Sequence, residues 1–205
     1  MKPAYWERAK RELGRRDAVM RAIMRRYPRI HLVSRGDPFQ TLARSIVGQQ
    51  ISVRAAQVVW ERVSAALVEV TPRAALEAGA ARLFACGLSR RKVEYVLDLA
   101  AHFATGRVEP PRWVAMDDEQ IIAELVDVRG VGRWTAEMFL IFNLLRPNVL
   151  PVDDLGLQRA VSLSYRRGRL VSETALRRIA NAWQPWRSVA TWYLWRSLDP
   201  VPVEY

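Results

Sequence analysis

Three groups of residues in this 205-residue chain have types and spacing suited to chemistry. The first is Asp153-Asp154, which closes a proline-punctuated loop, Arg146-Pro147-Asn148-Val149-Leu150-Pro151-Val152, and opens the stretch Leu155-Gly156-Leu157-Gln158-Arg159-Ala160. Neighbouring side chains at a helix start point in different directions, so at most one of the two carboxylates faces a given ligand. On residue type alone, both also read as helix caps. The second group is Gly130-Val131-Gly132, a tight turn between apolar stretches. Glycine there admits backbone conformations closed to other residues and lets another backbone approach closely. Gly132 stands at a helix start, where unpaired N–H groups meet the positive end of the dipole, an arrangement that suits phosphate. The third group is tryptophan: eight in all, four of them between Trp183 and Trp195. Helices of that composition usually pack into a core, which accounts for Trp183 and Trp186, but an indole face also attracts flat cations by about 0.5–2 kcal/mol.

The elements that must hold these groups read as helices. Asp17 opens a stretch with Val19, Met20, Ile23 and Met24 on one face. Asp37-Pro38 and Thr71-Pro72 are each a cap followed by proline at the first helical position. Ser52 caps a helix to about Leu67 after a break at Gly48-Gln49-Gln50, and Ser89 caps another that Gly106 ends. A Pro110-Pro111 linker follows, then Asp117 caps DEQIIAELV, and an apolar helix runs from Gly132 to about Leu145. Further helices are expected at about 154–163, 172–183 and 185–198. No segment alternates with period two long enough for a strand; Val149–Val152 is the weak candidate, and Pro151 demotes it. The class is all-α.

Composition bounds the rest. One cysteine, Cys86, excludes a disulfide framework, a multi-cysteine zinc site and a four-cysteine iron–sulfur cluster. The longest apolar run, Met138–Ile141 with Phe142 beyond it, is far short of a membrane span, and the charged first twenty residues are no signal peptide. A soluble, reduced, intracellular protein is expected, with no membrane partner. The formal charge of +11 is lopsided, because residues 1–35 carry 11 basic and 3 acidic side chains. Of 32 basic residues 29 are arginine, which binds phosphate bidentately. That favours nucleic acid, although surface arginine is also a general solubilising choice. Neither His31 nor His102 has a motif context, and both read as ordinary helix residues.

The stretch Leu125-Val126-Asp127-Val128-Arg129-Gly130-Val131-Gly132-Arg133-Trp134-Thr135-Ala136, with the proline loop and aspartate after it, resembles the signature of the helix-hairpin-helix base-excision DNA glycosylases. Within that superfamily the chain is most similar to the compact form of the alkylpurine (3-methyladenine type II) enzymes, because about 36 residues precede the matched region. Ile46-Val47-Gly48-Gln49-Gln50-Ile51-Ser52, Gly87-Leu88-Ser89-Arg90-Arg91-Lys92 and Pro185-Trp186-Arg187-Ser188 through Trp195 carry the same resemblance, which covers about residues 37–198.

The resemblance implies a two-lobed fold with a cleft between lobes formed by about 36–115, about 116–165, and 1–35 with 166–205. It also implies a monomeric hydrolase that flips alkylated purines such as 3-methyladenine and 7-methylguanine out of duplex DNA and leaves an abasic site. The family's aspartate has an arginine five residues on, which selects Asp154 with Arg159 and leaves Asp153 as the cap. Its carboxylate would stabilise positive charge developing on the sugar and direct water. Trp134 and Trp195 align with the base-stacking positions, with Trp192 one turn before Trp195 as a further candidate. Trp134 also stands where strand-nicking relatives carry a lysine nucleophile, so no lyase step is expected. Gly130, Val131, Gly132 and Thr135 would grip DNA, with Gln50, or else Gln49, wedged into the gap left by the flipped base. No cofactor is required for catalysis, but carbonyls of Val126, Val128 and Val131 would hold a structural Na+ or K+. In a bacterium the location would be the cytoplasm, near the nucleoid. Two alternatives stay open: a non-catalytic DNA-binding hairpin protein, and a glycosylase for another damaged or mismatched base.

Overall fold

The computed structural model describes residues 2–198, and among these the chain forms eleven α-helices and two short 3-10 turns, with no strand. Two compact units divide it. A split unit takes the residues up to Ser34 and those from Leu140 onward, while a continuous unit takes Arg35–Phe139. The boundary lies inside one helix, α8 (Arg133–Phe142). The expected grouping of 116–165 is thus divided, for a visible reason. Phe139 packs edge-on against Trp113 of the continuous unit, whereas Phe142 stacks on Trp195 of the split unit.

In the continuous unit, α3 (Pro38–Gly48), α4 (Val53–Leu67), α5 (Pro72–Ala85), α6 (Arg90–Ala104) and α7 (Asp118–Val126) start where the caps predict. Side chains of Asp37, Ser52, Thr71, Ser89 and Asp117 each accept a backbone N–H of the first turn. Gln120 completes a reciprocal box with Asp117. The helix α5 is kinked at Gly79, whose φ is +66°. The helix α6 packs on α3 and α5 through Val93, Val96, Leu99 and Ala100. The Pro110-Pro111 segment is not a bare linker: Pro110–Val114 is a 3-10 turn that buries Trp113. The Trp113 indole N–H donates to Glu124 Oε1 at 2.7 Å.

The split unit holds α1 (Trp6–Arg16), α2 (Ala18–Arg26), α9 (Leu155–Arg166), α10 (Glu173–Ala180) and α11 (Arg187–Leu198). A further 3-10 turn, Asn181–Trp183, follows α10. The helix α11 is its axis, packed on α1, α2 and α9 and buried at every position from Ser188 to Leu194. The helix α8 stops at Phe142 rather than near Leu145. Leu145 turns left-handed at φ +54°, and the Arg146 N–H reaches back to the Leu140 carbonyl at 2.9 Å. His31 lies in the non-helical segment after α2, while His102 is buried in α6.

Candidate functional site

The Gly-Val-Gly turn joins α7 to α8 within the continuous unit. Val131 N–H closes it on the Val128 carbonyl at 3.0 Å, with both valine side chains buried. Gly130 sits at φ +85°, and a Cβ there would lie 2.2 Å from the Tyr95 ring, so two separate constraints demand glycine. Gly132 differs. Its carbonyl accepts the first intrahelical bond of α8, from Ala136 at 3.0 Å, and a Cβ on it would meet open space. The N–H groups of Gly132 and Arg133 therefore have no intrahelical acceptor. Thr135 is buried behind this end, and Trp134 is 39% exposed beside it.

Both arginines of the turn are committed to carboxylates. Arg133 contacts Glu119 with two guanidinium nitrogens and Glu137 with a third. That contact is the main reason the Glu119 pKa is lowered. Arg129 donates its backbone N–H and its Nε to Asp98 of α6, at 2.9 and 3.1 Å. Burial pushes the Asp98 carboxyl up, but those Arg129 bonds outweigh it and leave the pKa below its ordinary value. His102 supports the same turn, with Nε2 3.1 Å from Asp127 Oδ2. The electropositive feature of this turn is its backbone, not its arginines.

The loop after α3 approaches the turn from one side. Gln49 Nε2 donates to the Gly130 carbonyl at 2.8 Å. Gln50 is exposed and left-handed at φ +58°. Lys92 fastens the end of α3 by donating to the Val47 carbonyl at 2.7 Å, and burial lowers its pKa.

The aspartate pair belongs to the split unit, and the structure reverses the expected cap. Asp154, not Asp153, caps α9, its Oδ1 accepting the Leu157 N–H at 2.6 Å. A turn closed by Asp154 N–H on the Pro151 carbonyl leaves Asp153 exposed one residue too early to cap. The same Asp154 oxygen accepts the Trp195 indole N–H at 2.8 Å. Trp195 is half-buried and stacks on Phe142, with ring centroids 5.5 Å apart. Trp192, in contrast, is a core residue, 7% exposed and set edge-on to Trp6 and Tyr193. Three residues along a helix that is buried nearly all round do not share one open face, so Trp192 is removed from the candidate pocket.

Two further residues position the aspartate and its loop. Gly156 packs where a Cβ would lie 3.1 Å from Asp154 Oδ1 and 3.3 Å from Trp195 Nε1. Its place two residues after Asp154 is the available signal. Ser188 straps the proline loop to α11. Its hydroxyl donates to the Arg146 carbonyl at 2.6 Å and accepts the Val149 N–H at 2.9 Å, while its own N–H donates to the Pro147 carbonyl. The Pro-Trp-Arg-Ser motif therefore has a mechanical function. Among the described residues no group of three or more His, Cys, Asp or Glu side chains is placed to hold a metal ion. No described helix is long and apolar enough to cross a membrane.

Comparison with known proteins places these features in a family. A model of the HhH-GPD superfamily base excision DNA repair proteins matches residues 43–188. DNA-3-methyladenine glycosylase 1 of Schizosaccharomyces pombe is 29% identical over 166 residues, 78% of this chain and 72% of that protein. The next two curated relatives are covered over only 39% and 66% of their lengths. The crystal structure of a DNA-3-methyladenine glycosidase from Bacillus halodurans superposes with a TM-score of 0.86 at 30% identity. That match covers 93% of this chain and 89% of that one. A S. pombe 3-methyladenine DNA glycosylase in complex with abasic DNA gives 0.80 at 25% identity, over 93% and 96%.

Proposed function

The chain belongs to the HhH-GPD superfamily of base excision DNA repair proteins, and from that premise we propose that it is a monofunctional glycosylase for alkylated purines in duplex DNA. The observation that carries this reading is Asp154, a carboxylate at the start of α9 fixed through one oxygen by the Leu157 N–H and the Trp195 indole. Pure phosphate binding requires neither that carboxylate nor its indole partner. The named relatives act on 3-methyladenine, and this supports the substrate class.

In the proposed reaction the purine leaves from C1′ and positive charge builds on the deoxyribose. Asp154 stabilises that charge and orients the attacking water. A base alkylated on a ring nitrogen is cationic and already a good leaving group, so little acid catalysis is needed. Trp134 and Trp195 are the residues we assign to stacking on the flipped base, with Phe142 backing Trp195. Gln50 is the wedge, its exposed, left-handed position carrying the side chain off the helix end. The N–H groups around Gly130 and Gly132 grip phosphate, and the arginine-rich N-terminus adds salt-sensitive affinity. The three lysines of the chain, Lys2, Lys10 and Lys92, all lie outside α8 and α9, which supports hydrolysis without strand nicking.

A structural monovalent cation fits the turn only through carbonyl oxygens. Val126, Val128 and Val131 supply them, and Val128 keeps one lone pair after accepting from Val131. Na+ or K+ there would fix the turn against DNA and take no part in bond cleavage. The protein is expected to act as a monomer.

The direct test is incubation with duplex DNA holding a single 7-methylguanine or 3-methyladenine. Abasic sites that are cleaved only after alkali are the expected result. Absence of base release leaves a non-catalytic DNA-binding protein, and release of only other lesions moves the substrate class.

A further inference from the structure

Gln49 and Gln50 are adjacent in sequence but have different surroundings. Gln50 is exposed, whereas the Gln49 amide is spent on the Gly130 carbonyl at 2.8 Å. That carbonyl belongs to the glycine whose ring-side neighbour is Tyr95 and whose preceding residue, Arg129, gives its N–H to Asp98. Tyr95 and Asp98 both come from α6, and so does Lys92, which holds the last turn of α3 just before Gln49. The DNA-gripping turn and the wedge loop are therefore fastened to one helix. They are joined directly to each other by the Gln49 side-chain hydrogen bond, and all of these residues lie within the continuous unit.

We propose that Gln49 is a positioning residue that couples the grip to the wedge: seating of the Gly130–Gly132 turn on phosphate fixes, through the Gln49 amide, the backbone from which Gln50 enters the duplex. Tyr95 blocks movement of Gly130 toward α6, and Asp98 pins the turn one residue earlier. The carbonyl of Gly130 and the Gln49 side chain consequently shift as one body. A turn bound in the wrong register carries the Gln49 amide with it and displaces the backbone from which the left-handed Gln50 projects. Gln49 thus acts on how fast the base is extruded and not on how tightly undamaged DNA is held. The inference rests on the reading of Gln50 as the wedge.

A double-mutant cycle on the full chain tests it with two readouts. One is the fluorescence of 2-aminopurine placed beside a non-cleavable abasic analogue, which reports unstacking without any excision. The other is single-turnover release of 7-methylguanine from duplex DNA. Gln49→Met keeps the side-chain length and removes the donor. Unstacking and release are both expected to slow about tenfold, the loss of one positioned hydrogen bond. Affinity for undamaged duplex and melting temperature are expected to stay unchanged. In a Gln50→Ala background Gln49→Met is expected to add nothing, because its effect is exerted through Gln50. Fully additive losses overturn the coupling, as does a loss of duplex affinity or melting temperature that accounts for the slowing. If Gln50→Ala alone leaves unstacking at its original rate, the wedge reading itself falls, and the coupling falls with it.

Discussion

Asp17 and Asp154 are both N-caps in the split unit, and each accepts an indole N–H as well as a backbone N–H. Oδ1 of Asp17 takes the Val19 and Met20 N–H groups, while Oδ2 takes the Tyr165 hydroxyl at 2.7 Å and the Trp183 indole at 3.1 Å. Asp17 is 9% exposed, so it spends both oxygens tying α2 to α9 and to the turn after α10. On Asp154 the Leu157 and Trp195 bonds converge on one oxygen of a half-buried group. The same local device becomes a structural hub where protein surrounds it and a candidate catalytic group where solvent still reaches it. Residue type and capping position do not separate the two; exposure does.

The contrast breaks first at Asp154. Asp154→Asn keeps a capping oxygen and should leave the melting temperature unchanged, while base release falls by about 100- to 1,000-fold. Asp153→Asn should keep near-normal release, and the reverse pattern would reassign the pair. Asp17→Ala should do the opposite. Losing the cap and leaving a buried hydroxyl and indole unpaired costs about 3 kcal/mol, read as a lower denaturation midpoint with release per folded molecule retained. Next comes Gly156→Ala, whose Cβ crowds Asp154 and Trp195 at 3.1–3.3 Å. A displacement of a few tenths of an ångström should slow release about tenfold with DNA affinity unaltered. Trp195→Phe, which keeps a stacking face but removes the donor to Asp154, should cost about fivefold in single-turnover rate.

The smallest effect concerns pH and belongs to Asp17's partner. Burial, reinforced by the Asp17 carboxylate, raises the Tyr165 pKa well above its ordinary 10.0. The stability it gives is complete below pH 10.0 and is lost as pH rises toward the folded value. Burial also pushes Tyr5 and Tyr193 up to about 12, so the split unit should weaken above pH 10. Tyr165→Phe should flatten part of that loss in alkaline unfolding curves.

Much of the fold was legible because caps are local. Asp37, Ser52, Thr71, Ser89 and Asp117 each accept an N–H within three residues, and sequence spacing records that directly. The errors arose where distant residues decide. Asp154 displaced Asp153 as cap because the turn on Pro151 sets where α9 begins. Trp192 sank into the core because Trp6, from the other end of the chain, occupies its far side. Of the candidate site, the turn and the aspartate pair were visible as motifs. The hydrogen bond from Gln49 to Gly130, spanning 81 positions, leaves no trace in spacing.

The division of the chain also dictates an order of events during synthesis. The continuous unit is complete in sequence once Phe139 has left the ribosome, but α1 and α2, packed on each other, lack their partner α11 until it arrives. Glu12 waits for the Trp186 indole, and Arg16 for the Gln184 carbonyl. The half carrying the Gly130–Gly132 turn is therefore complete earlier in synthesis than the half carrying Asp154. A ribosome stalled between the two would present the glycine turn without the aspartate.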